Sequence, residues 1–129
     1  MDARHDVEDF LARWAAAHEA REPERAADLF LRDPQPLVTF SDGERVRDWL
    51  DVRVRLARDL ARHIVERVEV HDVQSRALDR DTILVSFIYD MHVRDPWGTS
   101  SAATRLGTMT LVRTKDGLRI ASAHFAVAR

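Results

Sequence analysis

The stretch Gly117-Leu118-Arg119-Ile120-Ala121-Ser122-Ala123-His124-Phe125-Ala126 decides the reading of this chain. Its period-two alternation predicts a β-strand in which Leu118, Ile120, Ser122 and His124 share one face. A histidine therefore closes an apolar row. If that row lines a cavity, His124 is an ionisable group in an apolar pocket, titrating near neutrality and available for proton transfer or hydrogen bonding to a ligand.

Working backwards, Lys115-Asp116-Gly117 supplies a tight hairpin turn, and residues 104–114 form the strand before it. Residues 82–93 read as a longer strand of nearly continuous apolar character, separated from its partner by the turn-forming Asp95-Pro96-Trp97-Gly98-Thr99. Ile64, Val65, Val68, Val70 and Val73 are β-branched and predict a further strand. The first half of the chain has the other periodicity. Val7, Phe10, Leu11 and Trp14 follow i, i+3, i+4, i+7, predicting a helix that runs to about residue 21. Pro23 fits the first turn of a second, shorter helix with Ala26, Ala27, Leu29 and Phe30 inward. Leu37-Val38-Thr39-Phe40 reads as a short strand and Ser41-Asp42-Gly43 as a turn whose Asp or Ser can cap a third helix, carrying Val46, Trp49, Leu50, Val54, Leu56 and Leu60. Helices first and antiparallel strands after predict an α+β fold with helices covering one face of a curved sheet.

The 129 residues suit one domain, residues 1–129, and 45% hydrophobic with 33% charged residues is an ordinary globular composition. Twenty basic and 22 acidic side chains are spread along the chain, giving no basic stripe for nucleic acid. No apolar run approaches the roughly 20 residues of a membrane span, and the first residues carry no apolar signal core, so a cytoplasmic protein with no membrane partner is expected. The absence of cysteine excludes disulfides and thiol catalysis. His5, His18, His63 and His71 show no metal-ligand spacing and read as surface residues, and neither a metal nor a cofactor is expected.

The element order, the Thr110-Leu111-Val112-Arg113 strand, the Asp116-Gly117-Leu118-Arg119-Ile120 turn and strand, and His124-Phe125 resemble the nuclear transport factor 2-like superfamily, most of all its SnoaL-like and SgcJ-like branch. Leu118 stands where that branch has Trp. The resemblance implies a cone-shaped half-barrel, with three N-terminal helices on a mainly antiparallel sheet, enclosing a pocket for a small, mostly apolar molecule. It also implies homodimers through the outer sheet face. Relatives include ketosteroid isomerase, polyketide cyclases and a dehydratase. Aligned to the isomerase, this chain has Trp14 for the oxyanion tyrosine, Val38-Thr39-Phe40 for the strand with the aspartate base, and Met109 near the second acid. Neither the enolate donor nor the carboxylate base of that mechanism is therefore present.

Alternation puts Ser86, Ile88, Asp90 and His92 on one face of the long strand and Val85, Phe87, Tyr89 and Met91 on the other; the resemblance implies that the first set faces the pocket. Pairing about the hairpin turn sets His124 opposite Met109 and brings Arg105 across from Asp90. The expected site is thus His124 as general acid/base with Asp90 as orienter or second base. Arg105 anchors an anion or carbonyl, Ser86 and Ser122 orient the bound group, and Ile88, Trp14, Phe40, Trp49 and Met109 are walls. Trp97 in its turn is expected to cap a pocket or pack in a dimer contact. Two function classes follow: a cofactor-independent isomerase, cyclase or dehydratase (a lyase) acting in biosynthesis on a polyketide-like or polycyclic metabolite, and a non-catalytic ligand-binding or dimerisation module.

Overall fold

The computed structural model describes residues 3–128. Its order is α1 (Ala3–Glu19), α2 (Pro23–Ala27), β1 (Leu37–Thr39), β2 (Arg45–Val46), α3 (Trp49–Arg62), β3 (Ile64–Ala77), β4 (Thr82–Arg94), β5 (Ser100–Thr114) and β6 (Gly117–Val127). The six strands form one sheet in the order β2-β1-β6-β5-β4-β3, antiparallel except where β1 runs parallel to β6. This is the expected α+β half-barrel, curved and unclosed.

The long strands bend because they carry extra residues. β3 has register shifts between Val65 and Arg67 and between His71 and Gln74, and β6 has one opposite Thr110 and Leu111. Each shift inserts a residue that its neighbour does not match, which sharpens the local bend and twist. The β6 bulge has a second consequence. Thr110 pairs with Ser122 but Leu111 pairs with Ile120, so Ala121 is the extra residue. It lies where β6 changes its other neighbour: Ile120 exchanges backbone hydrogen bonds with Leu29 and Leu31 at 2.8 and 2.9 Å, and Ser122 onward pairs with β1. Past the bulge the alternation is inverted. Leu118 and Ile120 are buried before it, Ala123 and Phe125 after it, and His124 is exposed.

The helices cover the concave face. α1 lays the stripe Val7, Phe10, Leu11, Trp14 and His18 onto the sheet, and the Glu19 carboxylate at its end accepts a hydrogen bond from the Val68 N–H of β3 at 3.0 Å. α3 begins later than expected. Val46 belongs to β2, which closes the hairpin after Ser41-Asp42-Gly43, and the cap is Asp48, accepting from the Asp51 N–H at 2.8 Å. The correction has a local cause: Val38 pairs with Val46, so two inward valines outweigh the helical spacing of Val46 with Trp49 and Leu50.

One glycine is fixed by packing. Gly107 sits mid-strand on β5 with the Phe87 ring over it, and a Cβ there would meet that ring at 2.5 Å. Among the described residues no helix is long and apolar enough to cross a membrane.

Candidate functional site

Between α1, α3 and the concave sheet face lies a cavity of about 360 Å³. Its apolar wall comes from Trp14, Phe30, Phe40, Leu56, Met91 and Phe125. Trp14 is the centre of this wall. Its ring stacks with Phe125 at 6.1 Å, meets Phe87 and Tyr89 edge-on at 5.4 and 5.1 Å, and lies 4.8 Å from the His18 ring. Aromatic pairs at these separations are worth about 0.5–1.5 kcal/mol each beyond the area they bury.

Eight polar side chains interrupt that wall, His18, Ser41, Asp42, Arg55, Asp59, His63, Tyr89 and Arg105, and four of them decide its chemistry. His18 is buried, with Nδ1 2.9 Å from the Trp14 carbonyl oxygen. A carbonyl only accepts, so Nδ1 carries the proton and Nε2 is the basic nitrogen; no described residue hydrogen-bonds to Nε2. Burial pushes the imidazole below its ordinary 6.5, against the pull of the Trp14 carbonyl and the Asp59 charge. His18 is a neutral base with a fixed tautomer.

Tyr89 is the second group. Burial holds its phenol up at about 12, with Arg105 pulling the other way, so it stays protonated and can donate. Arg105, the third, pairs with Tyr89 across β4 and β5. Its only described polar partner is the Ser41 hydroxyl, 3.5 Å from Nη1, and its Nε is buried with no acceptor. Arg55, the fourth, is heavily committed. It donates to Asp59 at 2.7 Å, Glu44 at 2.9 Å and Asp42 at 3.2 Å, and lies over the Phe40 ring at 4.2 Å. Burial opposes its charge, but hydrogen bonds to Asp59, Glu44 and Asp42 more than restore it and raise its pKa.

Of the expected site residues, Trp14, Phe40 and Arg105 line this cavity. The others do not. Ser86, Ile88 and Asp90 face away, because it is Val85, Phe87 and Tyr89 that are buried on β4; the inward set is the reverse of the expected one. Val85, Phe87 and Tyr89 are the larger apolar set, and the helices cover them. Asp90 pairs with Thr104, not Arg105, and accepts from the Thr104 hydroxyl at 2.5 Å and lies 3.0 Å from His71 Nε2. The Thr104 hydroxyl first, then His71, holds its carboxyl below the usual range. His124 pairs with Thr108, not Met109, because of the Ala121 bulge. With Ser122 and Met109 it lines a separate depression of about 280 Å³ beside β1 and β2. Asp90 and His124 are therefore not brought together in the cavity. Trp49 packs α3 on α2, its indole N–H donating to the Ala27 carbonyl at 2.8 Å under the Arg32 guanidinium.

Two residues read as surface, His18 and His63, line the cavity. The signal for His18 was present: Leu11, Trp14 and His18 fall at i, i+3, i+7 on the apolar stripe of α1. Trp97 is 87% exposed and caps nothing within the chain. Among the described residues no group of three or more metal-ligating side chains is assembled.

Solved structures of similar architecture are numerous. A candidate calcium/calmodulin-dependent protein kinase II association domain from Xanthomonas campestris superposes with a TM-score of 0.86 at 18% identity, over 99% of this chain and 89% of that one. A candidate dehydratase of the NTF2-like family from Streptomyces avermitilis gives 0.85 at 17% identity over 97% and 96%. A nuclear transport factor 2-like superfamily protein from Salmonella enterica gives 0.82 at 12% over 97% and 90%. Identities this low establish the shared fold and nothing finer. No curated protein matches the sequence significantly. The model of the SnoaL-like domain matches residues 7–129, and this chain, a half-barrel with a helix-covered cavity, belongs to the SnoaL-like domain family.

Proposed function

We propose that the protein is a cofactor-independent isomerase, cyclase or dehydratase acting by general acid/base chemistry on a small apolar, polyketide-like or polycyclic molecule. The observation that carries this reading is a neutral histidine with one uncommitted ring nitrogen on the same apolar wall as a protonated tyrosine. The roles expected of His124 and Asp90 pass to His18 and Tyr89. In this reading His18 Nε2 removes a proton from carbon next to a carbonyl, and the Tyr89 phenol stabilises the negative charge that develops on the carbonyl oxygen. His18, now an imidazolium, returns the proton to another atom of the same molecule, or to a departing hydroxyl as water. The buried setting favours the step, since a low-pKa imidazole is unprotonated at neutral pH and donors act strongly away from bulk water. The candidate dehydratase with the same fold is consistent with such chemistry without specifying it.

The test is hydrogen–deuterium exchange next to the carbonyl of a bicyclic ketone such as 2-tetralone in D2O, followed by NMR. Wild type is expected to exceed the buffer background, and His18→Gln to lower the enzymatic rate by about 10²–10⁴-fold, the usual contribution of a general base. No exchange above background across a panel of bicyclic ketones, or full activity in His18→Gln, sinks the reading.

A second reading, a binding or dimerisation module, has its own observation. Ile88, Leu106 and Ala126 form one row across β4, β5 and β6 on the convex face, and Leu84 and Leu106 are 39% and 38% exposed there. A homodimer through this face would bury that row, and Leu106→Arg should then convert dimer to monomer in light scattering. The kinase association domain of similar fold carries an assembly role in its name. Dimerisation and catalysis are compatible; loss of ligand binding with the dimer intact would separate them.

A further inference from the structure

The cavity holds two guanidinium groups, and they are in opposite electrostatic situations. Arg55 is paired with three carboxylates, Asp42, Glu44 and Asp59, all within 3.2 Å of its nitrogens. Arg105 has no carboxylate partner among the described residues. One hydroxyl, Ser41 Oγ, lies at the 3.5 Å limit of a hydrogen bond, and Nε is buried without an acceptor. A guanidinium presents its N–H groups as a planar fork that matches a carboxylate, and a buried donor left without an acceptor carries a desolvation penalty. Such a group is stable beside a cavity only where something with lone pairs comes to it.

We infer that the molecule bound in this cavity is an anion: an apolar body of about two fused rings carrying one carboxylate, which Arg105 grips. The inference rests on the cavity being a ligand site, as proposed above. The size follows from volume, since a cavity of about 150 Å³ accommodates one benzene ring and this one measures about 360 Å³. The body lies against Trp14, Phe40 and Phe125, and the carboxylate meets Arg105. Asp42 and Asp59 are at the same cavity, but both are paired with Arg55, Asp59 also with Arg58, and both are far more exposed than Arg55, so water screens the negative charge left over. Arg105 is the cavity's guanidinium without a carboxylate among the described residues, and so the cation that selects the ligand.

The experiment uses 2-naphthoate and 2-naphthamide, which share shape and ring system and differ in charge. Binding is followed by isothermal titration, with the fluorescence of the protein as a second readout. Wild type should bind 2-naphthoate at least tenfold more tightly than 2-naphthamide. In Arg105→Gln that preference should vanish through weakened naphthoate binding, while naphthamide affinity changes less than about threefold. Arg105→Lys, which keeps the charge and loses the fork, should fall between. Equal affinity of wild type for the two compounds overturns the anionic ligand and leaves the cavity reading standing. Failure of both to bind at millimolar concentration overturns both readings. Because the decisive comparison is made on wild type, a poorly folding Arg105 variant does not rescue the inference.

Discussion

On the concave face of the sheet His18 lies against Trp14, donates a hydrogen bond from Nδ1 to a backbone carbonyl, and is pushed by burial towards the neutral form. On the convex face His71 stands in solvent with Asp72 and Asp90 at 3.2 and 3.0 Å from its two nitrogens, and those hydrogen bonds, Asp72 first, hold it towards the cation. The same side chain is made a base on one side and a paired charge on the other. The difference lies in what covers the face. Three helices exclude water from one side, so polar groups there are few, costly and individually placed. The other side is an open ladder in which Arg67, Glu69, His71, Asp90 and His92 satisfy one another across β3 and β4. Exposed pairs of that kind contribute little to stability, about 0–1 kcal/mol each.

The comparison breaks most visibly at Trp14. Trp14→Ala removes the ring against which His18, Phe87, Tyr89 and Phe125 pack, and should cost about 3–5 kcal/mol in urea unfolding. Gly107→Ala is the next largest effect. The added methyl must displace the Phe87 ring, and overpacking of this kind costs about 1–3 kcal/mol, read from the same unfolding curves. A loss below 0.5 kcal/mol at either position would mean that the concave face is looser than described.

Acid should act on the two faces with opposite sign. Native His18 has a depressed pKa and so binds fewer protons than the unfolded chain, whose histidine titrates near 6.5. Its contribution is present above that pH and is lost as pH falls below it towards the native value. The urea midpoint should therefore fall less between pH 7.5 and 5 in His18→Gln than in wild type. His71 has a raised pKa, so any contribution it makes is present below 6.5 and fades as pH rises through its native value. By NMR its inflection should lie above 6.5 in wild type and drop in Asp72→Asn, and by less in Asp90→Asn. Coincident titration of His18 and His71 would erase the distinction between the faces. The smallest effect is expected at His124. Exposed on the strand beyond the bulge, His124→Ala should shift stability by less than about 0.5 kcal/mol and leave deuterium exchange into a bicyclic ketone unchanged.

Much of the fold was legible because periodicity is a local property. The stripe Val7, Phe10, Leu11, Trp14 on α1, the apolar alternation of β4 and the Asp116-Gly117 hairpin all reached the structure as expected, and so did Trp14, Phe40 and Arg105 as residues of a shared cavity. The errors were errors of phase. Alternation identifies two faces of a strand, and β4 offers an apolar row on one of them, but the resemblance implies the other face towards the pocket. The same Leu11-Trp14 spacing that identifies α1 also points to His18, although a lone histidine without metal spacing reads as surface.

The sequence by itself determined which of the longer segments are helix and which are strand, though not the short β2, and that one apolar face per element must be covered; these follow from side-chain spacing along a chain of known geometry. Tertiary structure alone decided which histidine enters the cavity. One unmatched residue, Ala121, appears where β6 passes from the segment after α2 to β1, and because side chains alternate with a period of two, that single insertion turns Phe125 inward and His124 outward. A pairing partner more than 80 residues away, Val38 for Ala123, sets that phase, and no local pattern carries it.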